Sequence, residues 1–144
     1  MGKIAYVLSG EGAKGSYQAM VLKWLDDQGI KPDMGFGSSS GGANLLLQSA
    51  IGAEKLWSFW WNVTSIKKLF SFNPLFFMQS GVFTTKPLKK LIDQYKDATL
   101  SFPVYIPLTN AETGETNFSK FSGKSLASEA ARQIVCDSVT IPGV

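Results

Sequence analysis

Histidine is absent from this chain of 144 residues. Hydrolases that activate serine or cysteine usually do so through an imidazole whose pKa lies near neutrality, so a Ser-His-Asp triad within the chain is excluded. Histidine-based zinc sites, the His-Glu-x-x-His protease motif among them, are excluded with it. Cysteine occurs once, at Cys136. That rules out an intrachain disulfide and a cysteine-rich zinc framework, and it favours a reducing, cytoplasmic setting. No metal site is expected on these grounds. Long apolar runs are missing too. Ile4 to Leu8 is too short for a signal-peptide core, and the longest charge-free stretch, Leu69 to Thr85, is interrupted by Asn73, Pro74, Gln79 and Gly81, so it does not read as a membrane span. Charge of one sign is scarce. Fourteen Lys and Arg oppose eleven acids for a net +3, and apart from the pairs Lys67-Lys68 and Lys89-Lys90 the basic residues are dispersed. That is too diffuse for a nucleic-acid footprint.

What is present has the balance of a soluble globular domain: 44% hydrophobic and 17% charged residues, with no repeat, low-complexity tract or linker. Residues 1–144 therefore read as a single domain able to bury a core. Lys3 to Ser9 is a short apolar run ending in glycines, which predicts a strand buried on both faces. Ser16 to Gln28 predicts a helix. Its stripe Tyr17, Met20, Val21, Trp24 and Leu25 should pack on a sheet, and Gly29 stands where a C-terminal cap belongs. Met34 to Gly37 reads as a second strand, followed by a helix from about Gly42 through Trp57. This order implies parallel pairing and an α/β fold. Further along, Pro87 can start a helix carrying Leu88, Leu91, Ile92 and Tyr95. Phe102 to Thr109 reads as a strand whose Pro103 and Pro107 favour a sheet edge or an irregular segment. Glu112 to Glu115 reads as a turn, Thr116 to Phe121 as a strand, and Ser125 to Cys136 as a last helix.

Two glycine-rich turns concentrate the chemistry, each where a strand hands over to a helix. The second, Gly37-Ser38-Ser39-Ser40-Gly41, is a Gly-x-Ser-x-Gly pattern in which Ser39 alone has glycines two positions away on both sides. The middle serine of such a turn must occupy a sharp, strained bend, where flanking side chains would collide with neighbouring backbone. Ser39 is the candidate nucleophile, Ser38 and Ser40 are the small residues of the elbow, and the helix that follows aims amides at a reacting carbonyl. A serine- and glycine-rich loop without chemistry is the bland alternative. The first turn, Gly10-Glu11-Gly12-Ala13-Lys14-Gly15, is also a literal Gly-x-Gly-x-x-Gly, the dinucleotide fingerprint. That reading fits poorly, because Asp33 precedes a strand that runs straight into Gly37 instead of ending on a ribose-binding acid. Lys14 is a candidate anion contact, with a solvated lysine as the simpler reading.

Together the two turns resemble those of the patatin-like phospholipase family. Gly10 to Gly15 match its Gly-Gly-Gly-x-Lys/Arg-Gly loop except at Glu11, and Gly37 to Gly41 match its Gly-x-Ser-x-Gly motif about two dozen residues on. Gly15 to Leu22 look like the family's first helix. Ile106-Pro107-Leu108, Thr113-Gly114-Glu115 and Ser138 to Val144 look like later family segments in the expected order. The resemblance implies a three-layer hydrolase fold built on a parallel sheet. It also implies a Ser-Asp dyad, in keeping with the missing histidine. Ser39 would attack a lipid acyl ester, the amides of Gly10, Glu11 and Gly12 would form the oxyanion hole, and no cofactor would take part.

Two departures qualify that expectation. Glu11 replaces a glycine, and a carboxylate about 5 Å from an oxyanion at an effective dielectric of about 20 would cost roughly 3 kcal/mol, with a further penalty if that backbone needs positive φ. The family's acid lies in an Asp-Gly-Gly or Asp-Gly-Ala motif beyond the Ser-x-x-x-Pro segment, and these 144 residues end before one occurs. The sequence thus reads as a fold truncated at its C-terminus, with Asp137 a helix-end surface residue. A non-catalytic relative that binds lipid or a partner is the competing class. Residues 57–83 hold nine of the eighteen aromatic side chains, which suits a lid or a peripheral membrane contact. Core and loop packing accounts for them equally well.

Overall fold

The computed structural model describes residues 2–62, 71–72, 83–84, 86–110 and 112–139. Its strands are β1 (Ala5–Leu8), β2 (Met34–Gly37), β3 (Ser71–Phe72), β4 (Phe83–Thr84), β5 (Leu100–Thr109) and β6 (Thr116–Gly123). Its helices are α1 (Gly15–Asp27), α2 (Ser40–Ile51), α3 (Ala53–Asn62), α4 (Lys86–Asp93) and α5 (Glu129–Ser138). The main sheet has the order β1-β2-β5-β6, with β1, β2 and β5 parallel and β6 antiparallel to β5. A two-stranded antiparallel pair, β3-β4, stands apart. The fold is α/β.

The β1-α1-β2-α2 succession places both glycine turns at the C-terminal ends of adjacent parallel strands, with Leu8 opposite Gly37 in the register. Helix α1 ends in a Schellman arrangement. Gly29 takes φ +73°, its amide donates to Asp26 O at 2.9 Å, and the Ile30 amide donates to Leu25 O at 3.0 Å. The chain then returns as β2, and Tyr6 clamps that return by donating its hydroxyl to Ile30 O at 2.7 Å.

Helix α2 lies on the sheet where β2 has no side chain. A methyl on Gly35 would sit 3.1 Å from the Leu45 side chain, so the helix approaches as closely as a glycine permits. Around this contact Leu22, Leu45, Leu46, Leu56, Val104, Ile106, Phe121, Leu126 and Val135 form one buried cluster, which Leu88 and Ile92 of α4 join. The opposite face of the sheet carries Val7, Phe36, Tyr105 and Phe118. Phe36 stacks on Tyr105 with centroids 4.8 Å apart, while Val7 and Phe118 remain 75% and 60% exposed. Of the expected three layers, the described residues supply the sheet and the helical layer over one face.

Several local expectations are corrected. Among the described residues strand β1 is at the edge of the sheet and buried on one face: Tyr6 points into the core and Val7 outward. A four-residue apolar run carries too little pattern to tell the two situations apart. Of the stripe Tyr17, Met20, Val21, Trp24 and Leu25, Leu25 packs against the core while Tyr17, Met20 and Trp24 do not. These residues are largely exposed, and α1 instead buries Gly15, Gln18, Ala19 and Leu22 against α2 and α3. The single helix expected from Gly42 through Trp57 is two helices, broken at Gly52 with φ +85°. Of the two settings open to the prolines of β5, an edge or an irregular segment, the structure has the second, for the strand is interior, between β2 and β6, and irregular at Pro103. Its prolines are tolerated because they flank the short pairing of Gly35 and Phe36 with Val104 and Tyr105. Pro103 falls in a register shift against β6, and Pro107 lies beyond the last residue paired with β2. Ser49 of α2 repairs the irregular stretch. Its hydroxyl donates to Phe102 O at 2.7 Å and accepts the Phe102 amide at 3.0 Å. The aromatic segment 57–83 lies largely outside the described residues beyond Asn62, as do residues 140–144.

Candidate active site

Ser39 occupies the junction of β2 and α2 with φ 51° and ψ −124°, the one non-glycine residue at positive φ among those described. Holding an L-residue there costs on the order of 1–3 kcal/mol, so the surroundings must enforce it. They do so by close approach. A methyl on Gly37 would lie 2.6 Å from the Gly41 carbonyl carbon and the Gly42 amide, and one on Gly41 would lie 2.6 Å from both Leu8 O and Ser9 O. The bend is tied further by the Ser38 amide, which donates to Leu8 O at 3.1 Å, and by Ser38 O, which accepts the Gly41 amide at 2.9 Å. Ser39 is half-buried, Ser38 exposed and Ser40 buried. The Ser40 amide begins α2 and has no carbonyl four residues back within the helix.

The first glycine turn packs directly on this bend. A methyl on Gly10 would stand 2.9 Å from Ser39 Cβ, so the Gly10 backbone is in contact with the serine. Gly12 takes φ +57° and opens a short 3-10 turn, Gly12–Lys14, that leads into α1. Glu11 sits at φ −135°, so the positive-φ penalty does not arise there. Its carboxylate turns back to accept the Ser9 hydroxyl at 3.1 Å. Its amide donates to Ser40 Oγ at 2.9 Å, and the Glu11 N–H is therefore already engaged. Lys14 is exposed and has no ion pair among the described residues.

Side chains that sequence reasoning passed over connect the two turns. Asn44 is buried on α2. Its Nδ2 donates to Gly15 O at 2.8 Å and to Gln18 Oε1 at 3.1 Å, while its Oδ1 accepts the Trp60 indole N–H at 2.8 Å. Gln18 donates in turn to Ser9 O at 2.8 Å. The available signal was Gln18 on α1 and the amides Asn44 and Gln48 one turn apart on α2, which require partners if buried. Ser40, read as a small spacer, is a hydrogen-bond acceptor for the neighbouring loop.

No described carboxylate is hydrogen-bonded to Ser39. Asp33 accepts the Ile4 amide at 2.7 Å, at the far end of β1. Asp93 pairs with Arg132, which also donates to Leu126 O and Ala127 O. Asp137 is exposed on α5 and accepts Gln133 Nε2 at 2.8 Å, as expected of a helix-end surface residue. Beside the site, α1 and α3 enclose a groove of about 350 Å³ lined by Ser16, Tyr17, Met20, Trp57, Trp60 and Trp61. Lys23 bridges Asp27 and Glu54 across the same two helices at 2.9 Å each, and hydrogen bonding to Glu54 and then to Asp27 holds its ammonium above the ordinary lysine range. No described helix is long and apolar enough to cross a membrane.

Among known families, the model described as patatin-like phospholipase matches residues 6–144. No curated protein matches the chain.

Proposed function

Because the chain belongs to the patatin-like phospholipase family, whose members act as lipid acyl hydrolases, we propose that Ser39 is its nucleophile toward a lipid acyl ester. The observation that carries this reading is the strained backbone of Ser39, enforced by glycines on both sides at the start of α2. Strain of this kind exposes a serine oxygen at the head of a helix, where the first amides are available to a developing oxyanion. The Ser40 amide is one donor. Gly10 and Gly12 flank the second, with the Glu11 amide reaching an oxyanion only if Ser40 Oγ gives it up. Attack would form an acyl-enzyme that water then hydrolyses, and the protein groups in this scheme need no metal or cofactor. The test is fluorophosphonate labelling, read by mass spectrometry of the modified peptide, in a chimera where a relative's segment bearing Asp-Gly-Gly or Asp-Gly-Ala follows Val144 and supplies the base. Ser39→Ala is expected to remove the label, while Ser38→Ala keeps it. Full labelling of Ser39→Ala would sink the assignment.

A second reading, a relative that binds lipid without turning it over, draws on the absence of any described carboxylate at Ser39 and on Glu11 in place of glycine. The same labelling separates the two, since a relative that only binds leaves Ser39 unlabelled even when the base is supplied.

Lipid contact is proposed for the exposed aromatic edge of the α1–α3 groove, where Tyr17 is 65% and Trp61 73% exposed. Indole and phenol rings favour the interfacial region of a bilayer. The double variant Trp57→Ser/Trp61→Ser is expected to bind anionic phospholipid vesicles about tenfold more weakly in a sedimentation assay, from loss of buried apolar area. Unchanged sedimentation would remove this surface from the account.

A further inference from the structure

Both ends of the Gly10–Lys14 loop are held from one residue of α2. Gly15, just after the loop, gives its carbonyl to Asn44 directly, and Ser9, just before it, is reached through Gln18. Asn44 is 1% exposed and all of its described polar contacts are made, two donated and one accepted. Packing alone does not call for an amide here. A leucine has the same branched outline of four side-chain heavy atoms and would suit a helix that continues Leu45-Leu46-Leu47, whereas a buried amide costs stability unless every group is matched.

The geometry it maintains is tight. Gly10 touches Ser39 Cβ, and a methyl on Gly15 would lie 3.2 Å from Asn44 Nδ2 and 3.4 Å from Ser40 Cβ. Between these points the Glu11 amide reaches Ser40 Oγ. A loop in van der Waals contact at both ends cannot drift by a few tenths of an ångström without changing where its amides stand relative to Ser39. We propose that Asn44 is a positioning residue that, through Gly15 and Gln18, holds the first glycine loop against the Ser39 elbow, with Trp60 fixing the Asn44 amide from α3. The catalytic importance of this arrangement rests on the reading of Ser39 as nucleophile.

The test compares amide hydrogen exchange at Glu11, resolved by NMR, with that of the β5–β6 ladder, which reports global opening. Asn44→Leu and Gln18→Leu are expected to speed exchange at Glu11 by about tenfold or more through loss of buried hydrogen bonds. Ser49→Ala is the control, because it breaks a buried bridge from α2 to β5 and leaves the loop alone. It should lower the melting temperature without changing Glu11. Trp60→Phe keeps a ring and removes one hydrogen bond, so a smaller rise at the same amide is expected even if Asn44→Leu does not fold. Unaltered Glu11 exchange in Gln18→Leu and Trp60→Phe, or an equal rise in Ser49→Ala, would overturn the proposal. Fluorophosphonate labelling run alongside separates the two claims. A chimera that carries a relative's Asp-Gly-Gly or Asp-Gly-Ala segment after Val144 and still never labels at Ser39 removes the catalytic reading, while the exchange data decide the positioning independently.

Discussion

Gly41→Ala should be among the most damaging single-methyl additions this protein can receive. The added carbon would lie 2.6 Å from Leu8 O and Ser9 O and 2.8 Å from Leu8 Cβ, inside contact distance of backbone that belongs to the sheet. Backbone atoms of a paired strand cannot swing aside as the end of a flexible side chain can. The expected loss is therefore about 3 kcal/mol or more, at the upper end of what overpacking costs. In a chain of this size that corresponds to a fall of roughly 10 °C in melting temperature. Gly12→Ala supplies the comparison. Its φ of +57° penalises alanine, but nothing lies within 4 Å of the added methyl. Backbone strain alone should cost about 1 kcal/mol. Thermal melts of the two variants test whether close approach or backbone conformation governs the elbow. Equal losses would mean that the contact between the strand end and α2 is softer than the geometry indicates. Relief of the clash would push α2 away from β1, so in a chimera that supplies the base Gly41→Ala should also lose labelling at Ser39 even where it remains folded.

The strained bend at Ser39 was legible in the sequence because its requirement is local. A serine with glycines at both second neighbours admits one register, and the same glycines that mark it make the clashes. Strand β2 was legible at its boundaries, Met34 and Gly37, and the α1 terminus at Gly29, because a turn or cap residue punctuates each. Burial was much less legible. The large side chains of α1 formed a convincing stripe, yet the buried face is the one with Gly15, Gln18, Ala19 and Leu22. There the helix must approach α2 and α3 closely, and small residues plus one matched amide allow it. Hydrophobicity ranks Trp24 above Gln18, but close packing and a waiting acceptor at Ser9 O reverse that order. Pro103 and Pro107 left an edge and an irregular segment both open for a related reason. Proline does avoid a ladder, but an interior strand can host it at a register shift or past a neighbour's end, and both conditions depend on strands distant in sequence. The partner of Glu11 is a tertiary fact as well, since Ser40 lies twenty-nine residues away.

A larger effect is expected at the general base. Ser39 Oγ meets no described carboxylate, and Asp33, Asp93 and Asp137 are engaged with Ile4, Arg132 and Gln133 respectively. A hydroxyl without a base is a poor nucleophile at neutral pH, and removing one member of a catalytic pair typically costs about 10⁴-fold or more, leaving what the oxyanion site and binding contribute. The 144 residues by themselves are accordingly expected to hydrolyse short-chain esters about 10⁴-fold more slowly than a chimera in which a relative's segment bearing Asp-Gly-Gly or Asp-Gly-Ala follows Val144. Replacing that aspartate with asparagine should return the chimera to the slow rate. In the chain as it stands, Asp93→Asn and Asp137→Asn should leave the slow rate unaltered, because neither carboxylate is directed at the serine. The pH profile gives an independent reading. The chimera should lose activity as the pH falls through the range in which its aspartate takes up a proton, since only the carboxylate form can accept the serine proton. Fast turnover by the 144 residues alone, abolished by Asp137→Asn, would instead place the base on α5 and require a rearrangement that brings α5 to the elbow.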